Sequence, residues 1–212
     1  MRLLFLHGFQ QSPMVIQEET RFLPAFLHKT LGTEVDIEYP TSPFSSTPRA
    51  NQDPTYSWWP EDAGVDHTRT FAYLDEILES RGPYDAIIGF SQGASVAGLT
   101  ASLLEQPQDS RPAEFSTMHA PFKFVISFGG YREEDARVQR YYTPRIRTPV
   151  LHFINSTDPI VTEDRCLRLV ESCYDTESRV VIYSGSGNHR VPATKSTKAS
   201  LGRFLEDFAR EC

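Results

Sequence analysis

Cysteine is scarce in this chain. Cys166, Cys173 and Cys212 are the three copies in 212 residues, too few for a disulfide framework. Cys166 and Cys173 stand seven apart in a segment of helical character, about 10.5 Å along a helix axis, which is beyond the Cα separation a disulfide bridges. A reducing, cytoplasmic location is the expectation. Long apolar runs are also missing: no stretch approaches the roughly 20 residues that span a bilayer, so no membrane partner is expected. The opening Met1-Arg2-Leu3-Leu4-Phe5-Leu6 starts like a signal peptide, but its apolar run of four stops at His7-Gly8. A signal h-region needs roughly 7–15 residues, and a first buried strand is expected instead. Asn155-Ser156-Thr157 matches a glycosylation acceptor and reads as coincidence without a secretory signal. Positive charge is in deficit, with a net charge of -7 and no basic cluster, which argues against nucleic acid as the main partner. G-x-G-x-x-G and P-loop patterns are absent. The three cysteines and six histidines lack paired ligand spacing, so neither metal nor cofactor is expected.

What is present suits a folded domain. Hydrophobic residues make up 39% and charged residues 23% of the chain, enough for one core across a single domain, 1–212. Short apolar, β-branched or aromatic runs at 2–6, 35–39, 85–90, 122–128, 149–154 and 179–183 predict strands. Several are continuous apolar runs, as in strands covered on both faces. Segments of helical period lie near 17–30, 66–80, 92–105, 163–173 and 194–210. The last places Leu201, Phe204, Leu205 and Phe208 on one stripe. Gly93, Ala94, Ser95, Ala97 and Gly98 let the helix at 92–105 sit close against a sheet. This alternation predicts an α/β fold: a doubly wound, mostly parallel sheet with helices on both faces and no large cap domain. Two segments interrupt it. Residues 40–65 carry five prolines together with Trp58-Trp59, and residues 106–120 read as a surface loop.

The local signal for chemistry is Gly89-Phe90-Ser91-Gln92-Gly93, a G-x-S-x-G placed between a predicted strand and a predicted helix. A nucleophilic serine needs that context: a tight strand-to-helix turn projects its hydroxyl, and the helix N-terminus offers N–H groups to a developing oxyanion. The serine then needs a base, and the base an orienting acid, in the chain order Ser, Asp, His. Asp158 follows the strand at 149–154 and His189 follows the strand at 179–183, both at the sheet edge where such folds place their sites. The competitors read differently. His152 lies inside an apolar strand, His28 in a helix, and His67 and His119 beside no strand end; Asp164 and Asp175 flank a helix. Ser91, Asp158 and His189 are therefore the candidate catalytic residues. The N–H groups of Gln92 and of Phe9, just past the first strand, are the candidate oxyanion donors.

These residues resemble the fungal serine hydrolase family (FSH), small α/β-hydrolases, over nearly the whole chain. Leu6-His7-Gly8-Phe9 is similar to the family's oxyanion segment and Trp58-Trp59 to its paired tryptophans. Gly82 to Ala94 resembles its G-P-[FY]-D-G-[IV]-[ILM]-G-F-S-Q-G-A block, with Ala86 where glycine is usual. Asp158 with Val161, and Asn188-His189 with Pro192, fit its acid and base positions, although glycine often stands where Asn188 does. The resemblance implies cleavage of a small-molecule acyl ester or thioester. It extends to thioesterases of fungal secondary metabolism that release a polyketide acyl chain from the acyl carrier domain of a polyketide synthase. A general carboxylesterase, an acyltransferase and a non-catalytic hydrolase-fold binding protein are the alternatives. Trp58 and Trp59 are expected to wall the acyl site, against the simpler role of pinning their loop.

Overall fold

The computed structural model describes residues 1–45, 54–60, 67–174, 178–185 and 187–211. Parts of the 40–65 segment, Asp175 and Cys212 lie outside the described residues. Six strands form one parallel sheet: β1 (Arg2–Leu6), β2 (Asp36–Glu38), β5 (Ala86–Phe90), β6 (Phe124–Phe128), β7 (Val150–Asn155) and β8 (Arg179–Tyr183). Their order across the sheet is β2-β1-β5-β6-β7-β8. The chain thus leaves β1 to one side and returns on the other at β5, and the crevice between those strand ends is where such sheets bind ligands. Period-2 alternation splits the core in two. Leu4, Leu6, Ile87, Val125 and Val150 face helices α3 (His67–Arg81) and α4 (Gln92–Glu105). Leu3, Phe5, Ile88, Ile126 and Phe153 face α1 (Pro13–Glu19), α2 (Leu23–Leu31) and α7 (Lys195–Glu211). In α4 every residue from Gln92 to Leu104 is buried. Among the described residues no helix is long and apolar enough to cross a membrane.

The single helix expected over 17–30 is two helices, and Pro24 explains the break. Proline has no N–H for the carbonyl four residues back and its ring crowds that carbonyl. The Thr20 carbonyl instead accepts from Leu23 N–H at 2.8 Å, and Pro24 sits in the first turn of the second helix, where its missing donor costs nothing. Two-stranded pairing of β3 (Phe44–Ser45) with β4 (Tyr56–Ser57) also falls inside the 40–65 segment. The 106–120 segment is more than a surface loop. Phe115 is fully buried, and Asp75 and Glu79 of α3 accept hydrogen bonds from the Ser116, Thr117 and Met118 N–H groups. Two further short helices are α5 (Ala136–Gln139) and α6 (Glu163–Val170); α6 stops three residues short of the expected helix end.

Candidate functional site

Ser91 stands at the junction of β5 and α4 with φ 53° and ψ −121°, a backbone conformation that costs a non-glycine residue about 1–3 kcal/mol. The turn is held by packing. Ser91 N–H donates to the Phe128 carbonyl at 2.8 Å, while the Ser91 carbonyl accepts from Ala94 N–H at 2.9 Å. The two flanking glycines are sterically required. A Cβ on Gly89 would lie 2.5 Å from Ala94 Cα, and one on Gly93 would lie 2.6 Å from the Leu6 carbonyl carbon. The helix carrying Ser91 is thereby pressed onto the end of β1, which brings the β1 loop to the serine.

Asp158 and His189 come together from neighbouring strands. His189 Nδ1 meets Asp158 Oδ2 at 2.6 Å, with the side chains 17% and 6% exposed. Asp158 Oδ1 accepts the Ile160 and Val161 N–H groups at 2.8 and 3.0 Å. The carboxylate is therefore fixed from both oxygens, and its bond to Nδ1 leaves Nε2 as the free ring nitrogen. The imidazole packs on Phe90, the residue before Ser91, with ring centroids 4.7 Å apart. Nε2 is buried without a hydrogen-bond partner among the described residues, so Ser91 and His189 are not hydrogen-bonded to each other.

A residue that the sequence offered only as a coincidental glycosylation acceptor ties the two loops together. Asn155, buried at the end of β7, accepts from Gly185 N–H at 2.8 Å and from Thr157 N–H at 3.1 Å. Its amide donates to the Asn188 carbonyl at 3.1 Å. One side chain thus spans the loop bearing Asp158 and the loop bearing His189. A polar residue closing an apolar strand run was the available signal.

Past β1, Gly8 N–H donates to Gln11 Oε1 at 2.8 Å and the Gln11 N–H returns to the Gly8 carbonyl. Gln10 takes φ 52°. The turn leaves the Phe9 N–H, like the Gln92 N–H at the start of α4, without a hydrogen bond among the described residues. His7 is buried, its Nδ1 donating to the Gly8 carbonyl at 2.8 Å and its Nε2 accepting from Ser42 N–H at 3.3 Å. Burial holds its imidazole below the usual histidine range.

Trp58 and Trp59 lie elsewhere than a pocket wall. They are 0% and 4% exposed and belong to the core against α3 and α4. Trp58 Nε1 donates to the His7 carbonyl at 2.9 Å. The Gln92 side chain clamps the pair, accepting from Trp58 N–H at 2.8 Å and donating to the Trp59 carbonyl at 2.9 Å. Their burial and these hydrogen bonds favour the pinning role over the wall. The competing groups are spoken for as well. His152 is buried beside Cys173, His119 accepts from Tyr84 N–H, and Asp164 pairs with Arg168.

Residues 1–201 match a family model described as Serine hydrolase (FSH1). Family of serine hydrolases 3 of Saccharomyces cerevisiae is 31% identical, over 97% of this chain and 83% of that protein. Esterase OVCA2 of Xenopus tropicalis is 28% identical, over 98% of this chain and 93% of that protein. The crystal structure of esterase PE8 shares the fold with a TM-score of 0.67 at 19% identity, over 98% of this chain and 92% of that one. Against two further relatives, both from Schizosaccharomyces pombe, the chain spans about half of the relative's length, 47% and 52%. With a family match that runs from the first strand into the last helix, the chain belongs to the FSH1 serine hydrolase family.

Proposed function

We propose that the protein cleaves acyl esters or thioesters through an acyl-enzyme formed on Ser91. The observation that carries this reading is the 2.6 Å pairing of Asp158 with His189 packed beside a serine in a strained elbow. Ser91 Oγ bonds to the acyl carbon as its proton passes to His189 Nε2, and the carbonyl π pair moves onto oxygen. The Phe9 and Gln92 N–H groups, without a hydrogen bond among the described residues and on the two sides of the β1/β5 crevice, receive that oxyanion. Collapse expels the alcohol or thiol, which takes the proton from His189, and water repeats the sequence to free the acid. Asp158 holds the ring in the Nδ1–H tautomer and offsets the imidazolium charge. Relatives named as esterases support the ester; the polyketide acyl chain on a carrier domain is the finer reading, and it rests on the sequence resemblance. The test is fluorophosphonate labelling of Ser91, with turnover measured on p-nitrophenyl esters, small acyl thioesters and acyl-carrier thioesters. Labelling that persists in Ser91→Ala, or a folded Ser91→Ala protein with full turnover, would overturn the assignment; preference for the carrier thioester would support the finer one.

A further inference from the structure

Trp58 is the bulkiest of the fully buried side chains among the described residues, and the stretch around it touches both elements that carry the candidate oxyanion donors. Its indole Nε1–H donates at 2.9 Å to the carbonyl of His7, two residues before Phe9. Two residues after Phe9, the Gln11 carbonyl accepts from Tyr56 N–H at 2.8 Å. The turn that presents the Phe9 N–H is thus held on both flanks by residues 56–59. The same stretch meets the start of α4, where the Gln92 side chain accepts from Trp58 N–H at 2.8 Å and donates to the Trp59 carbonyl at 2.9 Å. Helix α3 backs it: the Thr70 hydroxyl donates to the Trp58 carbonyl, and the Tyr73 ring lies 6.3 Å from the indole. Water has little access to most of these bonds, because His7, Trp58, Trp59, Thr70 and Gln92 are all buried.

We propose that residues 56–59 are a strap that sets the spacing of the Phe9 and Gln92 N–H groups, with Trp58 as its positioning residue. The proposal rests on the reading of those two groups as oxyanion donors given above. Both donors must come within about 2.7–3.1 Å of one oxygen, yet they stand on separate elements, the turn after β1 and the start of α4. Gly93 packs directly on the Leu6 and His7 carbonyls, which limits how closely those elements approach. The strap limits how far they part, since it is bonded to both. Trp58 is fully buried and touches no substrate. Its effect therefore falls on the transition state, where charge has developed on oxygen, and leaves ground-state binding alone.

The test compares wild type with Trp58→Phe, which keeps a ring in place and loses the indole donor, on p-nitrophenyl esters and on an alkyl trifluoromethyl ketone of matched chain length. The ketone reports on the donors directly: Ser91 Oγ adds to its carbonyl carbon, the serine proton passes to His189 Nε2, and the carbonyl π pair becomes the oxyanion. In Trp58→Phe, kcat falls about tenfold, less than the roughly 10²–10³-fold cost of deleting a donor outright. KM is unchanged, and ketone affinity weakens by about the same factor as kcat. The acid limb of the pH profile stays in place, because Asp158 and His189 follow β7 and β8 and the strap bonds to neither. The control is Phe115→Leu, a loss of packing in the same core cluster under the 106–120 segment, which lowers Tm and leaves kcat and ketone affinity alone. A folded Trp58→Phe protein with lower Tm but wild-type kcat and ketone affinity overturns the proposal. A rise in KM alone does so too, since it would make the strap a substrate wall. If Trp58→Phe does not fold, Thr70→Val decides by the same criteria, because it removes only the hydroxyl that holds the Trp58 carbonyl to α3. A wild-type protein that neither hydrolyses the esters nor binds the ketone would be a failure of the functional reading, separate from a failure of this one.

Discussion

Gln92 matters through its side chain as well as its N–H, and removing that side chain is a sharp test of how the site loop is held. Its amide satisfies the Trp58 N–H and the Trp59 carbonyl at 2.8 and 2.9 Å, in a place too buried for water to replace it: Gln92 is 3% exposed and Trp58 0%. Gln92→Ala leaves one buried donor and one buried acceptor unpaired, each costing about 1–3 kcal/mol. The expected loss is about 3–5 kcal/mol, a large part of the 5–15 kcal/mol typical of a domain. With a urea slope of about 2–3 kcal/mol/M, the midpoint should fall by roughly 1–2 M, followed through tryptophan fluorescence. Gln92→Glu still accepts from Trp58 but offers the Trp59 carbonyl no donor while charged. Its deficit should therefore shrink as pH is lowered and the carboxyl regains a proton. A Gln92→Ala protein within about 0.5 kcal/mol of wild type, the range of ordinary surface substitutions, would refute the clamp.

Ser91→Gly and Ser91→Ala should both lose activity by about 10³-fold or more. The glycine variant should melt higher because φ 53° costs glycine nothing; equal melting temperatures would deny the strain. Asn155→Ala, which frees both loops at once, is expected to lower kcat by at least tenfold, an order-of-magnitude figure for a misplaced base, and to raise hydrogen exchange in residues 185–189. Unchanged kcat would leave Asn155 with no part in aligning Asp158 and His189. Burial pushes the His152 imidazole down to about 3. Between the ordinary value near 6.5 and that figure, the unfolded chain takes up a proton that the native state refuses. Stability therefore falls with acid across this window, by up to about 1.4 kcal/mol per pH unit. His152→Leu should flatten the fall; parallel stability curves from pH 7 to pH 4 would contradict it.

Strands covered on both faces write themselves as apolar runs, which is why 2–6 was readable to the residue; 179–183, an edge strand with Val180 and Ile182 exposed, was marked by its β-branched run instead. Helix α4 was equally plain, because its small residues answer to the close packing measured at Gly93. The elements that stayed hidden depend on single residues with two compatible meanings. Pro24 suits the start of a helix as well as the end of one. Phe115 is one aromatic in a polar stretch, and its burial depends on carboxylates of α3 that lie forty residues away. At the site, order along the chain singled out Asp158 and His189 as candidates, and the structure pairs their side chains at 2.6 Å. Asn155 gave only a faint signal, a polar residue closing an apolar run, because its significance lies in partners that the β7-β8 pairing brings together. The tryptophans were noticed for the right reason, the cost of leaving indoles in water. Local sequence could not say which apolar surface they cover.

The complete burial of α4, from Gln92 to Leu104, bears on how this molecule can diverge. A helix with no solvent face has no position at which a substitution goes unfelt, so a saturation library should show α4 almost intolerant along its whole length, without the periodic relief of an amphipathic helix. Ser91 and Gln92, the proposed nucleophile and one proposed oxyanion donor, are therefore inherited with that helix. New substrate contacts would have to come from exposed side chains beside that buried framework, such as Ile160, 62% exposed.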